Sequence, residues 1–103
     1  MEGHAMISPD ILASYAADAA REVAGVRGLV KHAGLPRHDG VRLGLDDGRV
    51  TVEVHLALDW GASVPAVGAE VQERVAAYLA RMADVHPDAV DVVVDEIVAP
   101  VRA

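Results

Sequence analysis

From Val50 to Trp60 the chain alternates without a break. Val50, Val52, Val54, Leu56, Leu58 and Trp60 fall on one side, and Thr51, Glu53, His55, Ala57 and Asp59 on the other. A period of two predicts a half-buried strand with one wet face, as in antiparallel pairing. The shorter alternation "VRLGL" at 41–45 precedes it, and "DDG" at 46–48 marks a hairpin turn because Asp and Gly tolerate positive φ. "AVDVVVDEIV" at 89–98 predicts a last strand, with Val90, Val92 and Val94 inward and Pro100 ending it.

Two stretches follow the helical period instead. Ser8-Pro9-Asp10 predicts a helix start, with Ser8 as cap, Pro9 at the first position and Asp10 on the positive end of the dipole. Leu12, Tyr15, Ala16, Ala19 and Val23 share one face, and the helix should run to about Ala24, where Gly25 and Gly28 stop it. The second helix should begin near Pro65, with Val64, Val67, Val71, Val75, Tyr78, Leu79 and Met82 on its apolar stripe, and end before "HPD" at 86–88. Residues 29–40 have no period and predict a loop, with a short strand at Leu29–Val30.

The expected fold is therefore α+β. It is a two-layer α-β-β-α-β domain spanning 1–103, with residues 1–7 flexible and both helices on one face of a three-stranded, mainly antiparallel sheet. Counted in chain order, the strand arrangement 2-1-3 is favoured because every neighbour is then antiparallel; 1-2-3 is the alternative. Trp60 is expected on the core face as a lid over the helix ends.

Composition narrows the function. With 52% apolar residues the chain is globular. Its 16 acids against 9 bases leave a net charge of -7, which argues against a general nucleic-acid binder and against direct docking on an anionic membrane. There is no cysteine for a thiol nucleophile, thiolate site or disulfide. The N-terminal "MEGHAMISPD" lacks a signal-peptide pattern, and no apolar run is long enough to span a bilayer, so a cytoplasmic location is expected.

Candidate chemistry is sparse. His32, His38 and Asp39 share a loop but lack a fourth ligand for a metal site. His55, on the wet face near Glu53 and Asp59, is expected to serve a cross-strand partner rather than act as a general base. Asp84, Asp88, Asp91, Asp95 and Glu96 make the C-terminal part acidic, and Arg27, Lys31, Arg37, Arg42 and Arg49 make the loop-hairpin half basic. That asymmetry suits head-to-tail contact between copies. "GVRG" at 25–28 matches the G-x-x-G of KH domains, giving a small nucleic-acid-binding module as the alternative function. Ala13, Ala17, Ala20 and Ala24 form a small-residue stripe expected off the core face; Ala69, Ala76, Ala80 and Ala83 flank the stripe of the second helix. Gln72 lies at the edge of that stripe, where its amide can reach a backbone group or a partner.

"AADAAREVAGVRGLV", the alternating strand, "LDWGASVPAVGAEVQERVAAYLARM" and the valine-alternating last strand together resemble the alkaline shock protein family, the envelope stress response family of Gram-positive bacteria. The resemblance runs from about Ile11 to Val98. It is most specific at Gly61, Val64-Pro65, Glu70-Val71-Gln72 and Val75, and the Ala-, Val- and Arg-rich composition suits an actinobacterial-type member. Where the family often has Thr-Gly near the end of the second helix, this chain has Ala83-Asp84. The resemblance implies no enzymatic activity, and the residues predict no metal or cofactor site. It implies a cytoplasmic protein of envelope or alkaline stress that sits at the inner membrane face through a membrane-anchored partner, or self-assembles. Candidate contact residues are Gln72, Glu73, Ala69, Ala76, Ala80, Ala13, Ala17, Arg27, Lys31 and Arg42.

Overall fold

The computed structural model describes residues 7–31 and 40–100. The elements run α1 (Pro9–Arg21), β1 (Val26–Leu29), β2 (Val41–Asp46), β3 (Arg49–Asp59), α2 (Val64–Ala83) and β4 (Ala89–Val98). Both helices start as the sequence predicts. The Ser8 hydroxyl accepts from the Ile11 amide at 3.2 Å and the Ser63 hydroxyl from the Ala66 amide at 3.3 Å, and each helix carries Pro in its first turn. The expected flexibility of residues 1–7 falls, but for Ile7, outside the described residues.

The α+β architecture holds, with a mainly antiparallel sheet built around β3. Its strands number four rather than three, because Val26–Leu29 forms β1. β1 pairs antiparallel with Leu56–Leu58 and β2 antiparallel with Arg49–Val54, while β4 runs parallel to β3 from Thr51 to Asp59. A strand has two edges. Since β4 occupies one along nearly all of β3, β1 and β2 must follow each other along the second.

The favoured arrangement 2-1-3 is thereby corrected. The hairpin's second strand, β3, is the central one, and β4 lies parallel to it. The reason lies in hydrophobicity along the strands. β3 carries the long apolar face, and Val52, Val54, Leu56 and Leu58 are almost wholly buried. A strand that hydrophobic belongs in the middle of the sheet, where α2 can cross over it and deliver β4 in parallel.

The core lies between this face and the helices. Leu12, Ala16, Ala19 and Val23 of the α1 region meet Val67, Val71, Val75 and Leu79 of α2, and Val90, Val92 and Val94 pack at its margin. Each fully buried Val or Leu contributes about 1.5–3 kcal/mol. Tyr15 of α1 and Tyr78 of α2 meet edge to face, their ring centroids 5.8 Å apart.

Two expectations change. Ala13, Ala17 and Ala20 are buried in the core, not off it. An α1 so rich in alanine sinks closely onto its neighbours and buries most of its circumference, leaving Ser14, Asp18 and Arg21 outside. Trp60 is no lid. β3 ends at Asp59, Gly61 turns the chain at φ +93, and the indole stands 70% exposed.

Candidate interaction surfaces

The sheet face away from the helices carries the densest polar arrangement. His55 points outward from β3, its side chain only 12% exposed. Its Nε2 lies 2.6 Å from a Glu53 carboxylate oxygen and its Nδ1 2.7 Å from one of Asp95. A neutral imidazole has a single N–H, so both contacts are satisfied as hydrogen bonds only in the imidazolium. Burial disfavours that cation, but the hydrogen bonds and charges of the two carboxylates outweigh it and raise the His55 pKa above its ordinary 6.5. The two acids take opposite ends of the ring, which fits a clamp and not a shared metal ion. Among the described residues no group of His, Asp and Glu is placed to hold a metal.

Asp95 reaches His55 because β4 is irregular. The register slips between the pairs Leu56↔Val94 and Ala57↔Glu96, leaving Asp95 as the extra residue. The cross-strand partner expected for His55 is therefore Asp95, together with Glu53 of its own strand. The sequence signal was the adjacent Asp95-Glu96 pair, where strict alternation calls for an apolar residue.

The other named residues separate clearly. Gln72 is exposed, and its Nε2 donates to the Val90 carbonyl of β4 at 2.9 Å, so it found a backbone group. Glu73 and Ala69 are exposed on α2, and Ala76 and Ala80 are half-buried. Ala13 and Ala17 are inside the core and offer no surface. Arg27 is exposed and paired to Asp59 at 2.8 Å. Lys31 is exposed just after β1, and exposed Arg42 stands opposite Glu53 in the β2–β3 register. His32, Arg37, His38 and Asp39 lie outside the described residues.

The G-x-x-G stretch is not a clamping loop. Gly25 sits in a turn at φ +96, and Val26, Arg27 and Gly28 belong to β1, where Gly28 pairs with Ala57. Gly25 has a packing reason, since a Cβ there would come within 2.9 Å of a Val67 methyl. A cleft of about 440 Å³ between the outer sides of α1 and α2 is lined by Ala19, Glu22, Arg74, Ala77, Tyr78 and Arg81. Its arginines are engaged: Arg74 pairs with Glu70 at 3.1 Å, and Arg81 stacks over Tyr78 at 5.3 Å.

Exposed apolar groups stand at the end of the β3–β4 pair: Trp60, whose amide bonds the Val98 carbonyl, and Ile97 (50% exposed). The acids Asp88, Asp91, Asp95 and Glu96 belong to this side of the sheet, and Arg27, Lys31 and Arg42 to the opposite one. No helix of the described residues is long and apolar enough to cross a membrane.

Residues 1–99 match the family model of alkaline shock protein 23, described as having a cell envelope-related function. The chain belongs to this family. It is 34% identical over 89 residues to the uncharacterized protein YqhY of Bacillus subtilis strain 168, covering 78% of this chain and 66% of YqhY. It is 31% identical over 104 residues to the uncharacterized protein Spy1535 of Streptococcus pyogenes, covering 94% of this chain and 81% of that protein. The chain thus spans slightly under two thirds of the first relative's length. Among solved structures, a MamM CTD variant matches with a TM-score of 0.57 at 18% identity, covering 91% of this chain and all of that one. A manganese form of another MamM CTD variant gives 0.56 at 18% identity, covering 86% and 99%. At these identities the likeness shows the α+β fold alone.

Proposed function

We propose that this family member is a non-catalytic protein of the envelope stress response, working through protein–protein contact at the cytoplasmic face of the membrane. Its partner is a membrane-anchored protein, a further copy of itself, or both. The observation that carries this reading is Trp60, exposed at the end of the β3–β4 pair, where its amide bonds the Val98 carbonyl. A large aromatic at the surface, at the end of an edge strand and with exposed Ile97 on that strand, is the composition of a contact region. The cell envelope-related family supports the location. His55, held between Glu53 and Asp95, fits a structural clamp.

Sedimentation velocity across a wide concentration range tests the reading, paired with capture from solubilised membranes. Concentration-dependent assembly, or a membrane protein held by the native chain and lost by Trp60→Ala, is expected. A monomer throughout, with no captured partner, overturns it. A titration with single-stranded RNA at low salt is expected to show no salt-dependent binding; such binding would support the KH-like alternative instead.

A further inference from the structure

The free edge of β4 can be read residue by residue. The His55 carbonyl accepts from the Val30 amide and the His55 amide donates to the Gly40 carbonyl, and the Asp59 amide donates to the Gly25 carbonyl. The odd-numbered groups of β3 therefore face β1 and β2, and the even-numbered groups face β4. The Trp60 amide, bonded to the Val98 carbonyl, and the Val50 carbonyl, bonded to the Asp88 amide, agree. In a parallel pair the residue directly opposite a bonded one turns its N–H and C=O away. Val90, Val92 and Val94 stand opposite Val52, Val54 and Leu56, and after the bulge Ile97 stands opposite Leu58. These four residues hence direct their backbone groups out from the sheet. Gln72 confirms it independently by bonding the outward Val90 carbonyl. Beyond that cap, no described residue is seen to bond the outward groups of Val92, Val94 and Ile97.

An edge this long and apolar is a template for another strand. Its charge selects the occupant. Asp91 and Glu96 are exposed on the outer face, next to Asp95. A second copy pairing β4 to β4 antiparallel about Val93 would set Asp91 opposite Asp95, like against like. A second copy's β2 would bring Arg42 but also Asp46 on the same face. We propose that the β4 edge receives an extended segment of a partner protein in which Lys or Arg alternates with apolar residues. The partner's backbone would pair with Val92, Val94 and Ile97, its cations would meet Asp91 and Glu96, and its apolar side chains would continue the inner face of Val92 and Val94. This rests on the interaction reading above and names where and with what it acts.

The test is amide hydrogen exchange by NMR on the full chain, with two capped ten-residue peptides as probes, one alternating Val and Lys, the other Val and Glu. The Lys peptide is expected to slow exchange about tenfold or more at Val92, Val94 and Ile97, with Asp91 and Val93 unchanged because they already bond β3. The Glu peptide is expected to leave all of them alone. The Asp91→Lys/Glu96→Lys double variant, its fold checked by circular dichroism, is expected to reverse the preference. No protection from either peptide up to about 1 mM, or equal protection from both, overturns the proposal. So does protection in the chain alone that grows with its own concentration, which assigns the edge to a second copy. If assembly or partner capture is seen while these amides stay unprotected, the edge assignment fails and the interaction reading stands.

Discussion

The Gln72 side-chain amide donates to the main-chain carbonyl of Val90 at 2.9 Å, fastening α2 to the outer strand. A hydrogen bond of this kind has a net worth of about 0.5–1.5 kcal/mol. Gln72→Ala is expected to lose that much in urea denaturation. Gln72→Glu should lose more, because a carboxylate then faces a carbonyl. If Gln72→Ala leaves stability unchanged and weakens assembly instead, the residue serves a partner rather than the fold.

His55 makes stability depend on pH. Its folded pKa is raised, so the contribution of the clamp is complete below the unfolded value near 6.5 and is lost as pH rises through the folded value. Deprotonation leaves the Glu53 and Asp95 carboxylates without the cation between them. Asp91 opposite Glu53 adds negative charge, and Arg42 opposite Glu53 partly offsets it. Denaturation midpoints are expected to fall as pH rises above about 6.5, and His55→Gln should flatten that slope. An NMR titration placing the imidazole pKa below 6.5 would contradict the clamp.

Asp84 ends α2 in the left-handed conformation, φ 54 and ψ 36, at the position where the family often has Gly. An L side chain is strained there and Gly is not. Asp84→Gly is expected to stabilise the fold by about 0.5–1 kcal/mol, read as a rise in the midpoint of thermal unfolding.

Gly25 combines positive φ with contact against α2. Gly25→Ala puts a Cβ within 2.9 Å of a Val67 methyl and 3.3 Å of the Ala62 Cβ. The variant should lose about 1–3 kcal/mol, measured by chemical denaturation. An unchanged stability would mean that the turn between α1 and β1 relaxes freely.

Much of this fold could be read along the chain. The period-two run of β3, the caps Ser8 and Ser63 and the valine spacing of α2 each specify their element through local physics, and each appears where expected. β1 was only half legible, because Val26-Arg27-Gly28-Leu29 is short and its glycine resembles a helix stop. The order of the strands depends on which apolar face the helices cover, which is a tertiary choice. Trp60 continued the inward alternation but lies one residue past the strand, where Gly61 redirects the chain. At the candidate surface, Gln72 was visible as a polar residue at the margin of an apolar stripe. The partnership of His55 with Asp95 needed the bulge, and the outward edge of β4 needed the register of three strand pairings.

The central claim is that the surface around Trp60 and β4 meets another protein. The most direct measurement replaces Trp60 with a photo-crosslinking phenylalanine derivative in the producing cell, with the same substitution at exposed Ser14 of α1 as a reference position. The account predicts covalent adducts from position 60, to a membrane-anchored protein or to a further copy, well above those from position 14. Adducts no more abundant at position 60 than at position 14, from a folded protein, would contradict it.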